Sequence, residues 1–138
     1  MVWLLAVELA FDLATVKSEP NPERRSDRAI ENANAALDAA RAAYDRGDIE
    51  KVKGAIEEVR ESVDLSLRSL QESGKNPRDN SHYKTAEKAT RALLRRLDSF
   101  RDAVSAEERD MVEAVRAHVS EVHDELLDAI MTNGRKRK

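Results

Sequence analysis

The chain has 138 residues, enough for one domain that buries roughly two thirds of its unfolded surface without a metal ion or disulfide bonds. Charged residues make up 37% of the sequence and aromatic residues only 4%, a balance that favours long helices over a β-sheet. There is no cysteine, which excludes disulfide bonds, thiolate metal sites and a cysteine nucleophile.

The first predicted element is an apolar helix over residues 1–16, in which Glu8 and Asp12 form a narrow polar seam. A helix of this length spans about 24 Å, too short for the hydrocarbon core of a membrane. No basic residue precedes the apolar run, so the segment fits a secretory signal poorly. We expect it to pack within the fold or to mediate a homo-oligomer, and the alternative is an export or anchor remnant. The default location is cytoplasmic, and the alternative would place the protein in the cell envelope or periplasm.

Residues 17–21 are predicted to form a linker, because prolines flank Asn21 and this residue can cap a helix that begins at Pro22. Apolar residues then recur at alternating steps of three and four, which predicts four helices over approximately 22–46, 48–73, 80–103 and 106–132. In the third of these the stripe consists of Tyr83, Ala86, Thr90, Leu93, Leu97, Phe100 and Val104.

Turn and cap residues set the predicted ends of these helices. Gly47 can take the left-handed conformation that ends a helix, and Asp48 can cap the next one. Ser105 and Glu108 predict a capping box before the last helix. An Asn-Gly pair at 133–134 predicts its end, which leaves a basic tail over residues 135–138. The expected fold is all-α: an antiparallel up-down four-helix bundle over residues 22–134, with the additional N-terminal apolar helix.

Three short stretches carry a resemblance to known proteins: Ser18-Glu19-Pro20-Asn21-Pro22, Gly74-Lys75-Asn76-Pro77 and Leu93-Leu94-Arg95-Arg96-Leu97-Asp98. Through them, the run from Glu19 to Met131 resembles a family of uncharacterised all-helical bacterial proteins of unknown function. This resemblance implies no activity and transfers no functional residues.

Charge is strongly segregated along the chain, although the formal net charge is only −3. Residues 75–102 contain eight basic and four acidic side chains, a net charge of +4, whereas residues 103–134 contain two basic and eight acidic side chains, a net charge of −6. One interpretation is that the third bundle helix pairs with its acidic neighbours across the flanking positions. The other is that its basic side stays free.

A free basic side would be a candidate site for an anion, such as nucleic acid or an anionic lipid surface. The acidic total and the lack of stacking aromatic residues in the stripe count against both of these partners. The start of the same helix adds free backbone amides and further basic residues. The complete candidate set is Lys75, Arg78, His82, Lys84, Lys88, Arg91 and Arg95.

A metal site is the remaining chemical hypothesis, because His118, Glu121 and Glu125 share one side of the last helix. Di-iron bundles require matching ligands from several helices, which the sequence lacks, so a solvated acidic face is the preferred interpretation. We identify no catalytic residue and no cofactor, and His123 is interpreted as a partly buried structural histidine. The sequence therefore predicts a non-enzymatic structural or protein-interaction module, with an anion-binding module as the alternative and a metal-dependent bundle enzyme as the third possibility.

Overall fold

A computed structural model describes residues 12–136, and this part of the chain is all helical, without a β-strand. Its five α-helices are α1 (Leu13–Lys17), α2 (Pro22–Asp45), α3 (Ile49–Ser73), α4 (Ser81–Ala103) and α5 (Ala106–Lys136), and a 3-10 turn over Pro77–Asp79 precedes α4. The all-α prediction is confirmed. Among the helices described here, none is both long and apolar enough to cross a membrane.

Helices α2, α3 and α4 begin and end within one residue of the predicted positions, because local capping determines their ends. The side chain of Asn21 accepts a hydrogen bond from the Arg24 amide at 3.0 Å, and Asn80 accepts from the first amides of α4. Gly74 ends α3 with a φ of 72°, in the left-handed region that favours glycine.

The prediction of one continuous helix over residues 1–16 is wrong at Asp12. This residue has an extended backbone, with φ −164° and ψ 96°, and its side chain caps the new helix α1 by accepting from the Ala14 amide at 3.1 Å. The backbone amide of Asp12 donates to Asn32 Oδ1 at 2.7 Å, and that of Leu13 donates to Glu58 Oε2 at 3.0 Å. Partners on other helices thus fix the break. The remainder of the predicted helix, residues 1–11, lies outside the described residues.

Two predictions about the last helix also need correction. Helix α5 does not stop at the Asn-Gly pair but continues to Lys136, since one internal glycine costs a helix only about 1 kcal/mol relative to alanine. The predicted capping box does not form its reciprocal bonds. The Ser105 hydroxyl instead bonds directly to the Glu108 carboxylate, and the Ser105 amide donates to the Tyr44 hydroxyl at 2.9 Å.

The four long helices enclose one hydrophobic core, whose largest fully buried side chains include Phe100, Leu37, Ile56, Leu93 and Leu126. The most extensive contacts join α2 to α3 and α4 to α5. The α2 and α3 surfaces approach closely because α2 contributes many buried alanines. Buried polar side chains there are paired: the Ser26 and Ser66 hydroxyls lie 2.8 Å apart.

The contacts around the core define the neighbours of each long helix. Besides the pairs above, α2 lies beside α4 and α3 beside α5, whereas α3 and α4 touch at few points. In the connection over residues 74–80, the buried Pro77 and its 3-10 turn pack against α5.

Helix α1 lies on the outer side of α2 and α3. Its Leu13 and Val16 form a second apolar cluster with Ala29 and Leu65. Because α1 touches no other long helix within the described residues, the side formed by α4 and α5 is the one opposite to it.

Candidate interaction surface on helices α4 and α5

Helix α4 presents a buried side to the core and a basic side to solvent. Lys84, Lys88, Arg91 and Arg95 are all exposed, and together they extend about 16 Å along the helix axis. We call these four residues the basic stripe. Glu87 faces α5, and Lys84 and Arg91 lie three and four positions from it, so the stripe borders the side shared by α4 and α5.

The other cations of α4 are engaged by acidic groups. Arg96 pairs with Asp38 of α2 and also donates to Asn34 Oδ1 at 2.7 Å. Arg101 lies 3.2 Å from both Asp98 on its own helix and Glu113 of α5. Multiple acidic contacts raise the pKa of Arg101 above its ordinary value, with the hydrogen bond to Asp102 as the largest cause.

Within residues 12–136, by contrast, Lys84, Lys88 and Arg95 have no acidic partner. The cations on the flanks of α4 thus pair with neighbouring helices, whereas three cations on its outer side are exposed and unpaired among the described residues.

The fourth stripe residue, Arg91, belongs to a network with Glu87 and His123. Arg91 donates to both carboxylate oxygens of Glu87, at 3.0 and 2.8 Å, and His123 Nε2 of α5 lies 2.8 Å from Oε2. The Glu87 and His123 side chains are only 11% and 14% exposed. The Arg91 hydrogen bond is the largest cause that holds the pKa of Glu87 below its ordinary value; burial opposes the shift and His123 adds to it.

The remaining predicted anion ligands do not join the stripe. Lys75 Nζ lies 3.4 Å from Glu23, and His82 Nδ1 lies 3.0 Å from Asp27, so both turn toward α2. A hydrogen bond from Asn80 is the largest cause that lowers the pKa of Glu23. Arg78 is exposed in the 3-10 turn. Lys75 and His82 are thus separated from the basic stripe, and Arg78 lies in the turn before α4.

Two of the three proposed metal ligands lie close together, because His118 Nδ1 is 3.8 Å from the Glu121 carboxylate, which is 79% exposed. His118 Nε2 lies 2.5 Å from Asp64 of α3. Across the described residues, no three potential ligands from His, Asp and Glu come close enough to hold a metal ion. All three histidines of the chain instead pair with a carboxylate on another helix.

Sequence reasoning missed two features of this surface. The Glu87–His123 pair was not predicted, although both residues border an apolar stripe, which is the position of a side chain that reaches a neighbouring helix. The second feature is apolar: Leu127 and Met131 are 37% and 61% exposed, and they follow His123 at steps of four on the same side of α5.

A groove of about 750 Å³ lies between α1 and α2, on the opposite side of the molecule. Acidic and basic side chains alternate along it, among them Asp27, Arg28 and Glu31. Such a mixed lining favours neither an anion nor a cation, so we do not assign a ligand to it.

No known protein family, curated protein or solved structure matches this chain. The resemblance of residues 19–131 to uncharacterised bacterial proteins therefore stays a prediction.

Proposed function

We propose that this chain is a non-enzymatic protein-interaction module that binds an acidic protein surface through the basic stripe of α4. The observation that carries the proposal is the division of the α4 cations. Those on the flanks are engaged internally, whereas Lys84, Lys88 and Arg95 are exposed without an acidic partner in the described part of the chain. Such a row of free charges can steer a partner of opposite sign and fix its orientation.

The proposed scaffold is a four-helix bundle built from two antiparallel helix hairpins, α2 with α3 and α4 with α5. Short connections support this arrangement, since residues 46–48 and 104–105 alone join the members of each hairpin. Inter-helix pairs support it too. Arg101 contacts Glu113, whereas Asp98, which precedes Arg101, contacts the later residue Arg116. Histidines that could serve catalysis act in this scaffold as inter-helix contacts.

A protein partner suits the surface better than a nucleic acid or an anionic membrane. Asp124 of α5 is 77% exposed, and it follows His123, which contacts α4. Packed helices lie about 8–10 Å apart, close to the screening length at moderate salt. A nucleic acid or a membrane surface is wider than a polypeptide strand, so it would also approach α5 and meet the repulsion of its acidic side chains. A folded partner or a single acidic polypeptide segment can place its acidic groups on α4 alone.

The test uses a triple reversal of the free cations, Lys84→Glu, Lys88→Glu and Arg95→Glu. A matched control reverses three exposed arginines elsewhere, Arg24, Arg46 and Arg68, which changes the net charge equally. Fluorescence anisotropy measures binding of the full chain to labelled polyglutamate, to a single-stranded oligonucleotide and to phosphatidylserine vesicles, at low and moderate salt.

We expect polyglutamate to bind the wild-type and control proteins at low salt, and the triple variant to bind at least about tenfold more weakly. Equal binding by the triple variant and the control would refute the proposal. Preferential, stripe-dependent binding of the oligonucleotide or the vesicles would replace it with the anion-binding function that is our second candidate, favoured by the linear spacing of the stripe.

A further inference from the structure

We propose that the partner of the basic stripe is a second copy of this chain, docked on the side formed by α4 and α5 about a twofold axis parallel to the helices. This inference rests on the proposed function. It adds that each copy supplies both the basic surface and the acidic surface, so that two equivalent contacts close the dimer.

The first argument is charge complementarity. Helix α4 contains six basic and three acidic side chains, a net charge of +3, whereas helix α5 contains four basic and eight acidic side chains, a net charge of −4. On α5, the side chain of Asp124 is 77% exposed, and it follows His123, which contacts α4. A surface with a basic helix beside an acidic helix complements itself when it is rotated by half a turn about the helix direction.

The second argument is the level of the charges along the helices. The contact between Glu87 and His123, at 2.8 Å, places these two residues at about the same position along the bundle axis, which we call their height. Lys88 and Asp124 are the next residues along their helices, which run in opposite directions in the proposed hairpin, so the two residues are offset by only about 3 Å along the bundle axis. A twofold axis parallel to the helices preserves height. Lys88 therefore lies opposite Asp124 of the partner subunit, and Asp124 lies opposite Lys88 of the partner subunit. A twofold axis across the helices would place the basic stripe against itself, which like charges disfavour.

The third argument is the apolar patch between the two rows of charge. Leu127 and Met131 are the large hydrophobic side chains that are exposed in the described part of the chain, at 37% and 61%. Because they follow His123 at steps of four, they lie on the side of α5 that faces α4. They are thus beside the proposed axis, where each copy would cover the patch of the other. An apolar centre with a charged rim is the usual anatomy of a protein interface.

The test is sedimentation velocity of the full chain from about 5 to 500 μM, the range in which a small, charge-dependent interface should dissociate. We expect a species of twice the 15.5 kDa monomer mass at low salt, and its loss as salt rises. Lys88→Glu and Asp124→Lys should each weaken the dimer at least about tenfold, because symmetry makes every substitution act at two contacts. Circular dichroism checks that both variants keep the wild-type helix content.

Mixing the two variants is the decisive measurement. In the mixed dimer, each introduced charge meets the other introduced charge, and each native charge meets its native partner, so association should return to within about threefold of wild type. Failure of the mixture to associate would overturn the inference. So would wild-type association that neither single variant weakens, as expected if residues 1–16 mediate the contact.

Two further outcomes separate this inference from the proposed function. A wild-type chain that stays monomeric at the highest concentration, yet binds polyglutamate through the stripe, overturns only the second-copy inference. Growth to masses above the dimer would show head-to-tail association, and would overturn the twofold arrangement.

Discussion

The buried Glu87–His123 contact should be a main source of stability at the junction of α4 and α5. Replacing Glu87 by alanine removes a hydrogen bond between side chains that are 11% and 14% exposed, and hydrogen bonds that involve charged groups contribute about 1.5–3 kcal/mol. The pair with Arg91 adds little to this, because Arg91 is 54% exposed and screened by solvent. We therefore expect Glu87→Ala to lower the free energy of unfolding by about 2–3 kcal/mol.

Urea unfolding followed by circular dichroism measures this loss, which should lower the midpoint by about 1 M. The matched control is Glu57→Ala on α3. Glu57 also contacts an arginine of its own helix, Arg60 at 3.1 Å, but it is 51% exposed and touches no histidine. The control should change the free energy of unfolding by less than about 0.5 kcal/mol.

The loss should also depend on pH with a definite sign. The pKa of Glu87 is lowered from its ordinary value of 4.5 in the folded protein, so its contribution is complete above pH 4.5. It is lost as the pH falls through the lowered pKa, and the difference between the wild-type protein and Glu87→Ala should therefore shrink in acid. A difference below about 0.5 kcal/mol at neutral pH, or one that stays constant on acidification, would refute the reasoning.

Four other single substitutions and one double variant can be checked by the same unfolding measurement. Gly54→Ala, inside α3, should stabilise the protein by about 0.5–1 kcal/mol, since nothing lies within 4 Å of the added Cβ. Gly74→Ala should destabilise the protein by about 1–2 kcal/mol, because Gly74 has a φ of 72°. Tyr44→Phe should cost about 1 kcal/mol, because the amide that precedes α5 loses its 2.9 Å acceptor. Ser26→Ala should lower the free energy of unfolding by about 1–2 kcal/mol, because it leaves the Ser66 hydroxyl unpaired. Adding Ser66→Ala should recover most of that loss. Losses of stability that simply add in the double variant would contradict this expectation.

The ends of the long helices could be predicted because their causes are local. Asn21 and Gly74 act on backbone groups within about four positions, so the sequence contains the whole interaction. Asp12 shows where this fails. The sequence places Asp12 in the polar seam of a helix, yet in the structure Asp12 caps a new helix. Asn32 and Glu58, on two other helices, accept hydrogen bonds from the backbone amides of Asp12 and Leu13.

The order of the helices could not be predicted for a similar reason. Short turns specify which helices form hairpins, but the way in which two hairpins stack depends on the path of the connection between them. Here the burial of Pro77 against α5 is a contact between distant parts of the chain. Periodicity in the sequence gives the apolar side of each helix without naming the neighbour that covers it.

The candidate surface illustrates both limits at once. Periodicity predicted which cations share one side of α4, but only the fold shows that Arg96, one residue from Arg95, reaches Asp38 at a sequence separation of 58. Of these two neighbouring cations, one is paired and the other is exposed, because they point toward different sides of one helix. Arg91 stands between these cases, since it lies in the exposed stripe and also binds the buried Glu87. For this reason the charge reversals leave Arg91 unchanged: its substitution would alter stability and binding together, whereas Lys84, Lys88 and Arg95 report on binding alone.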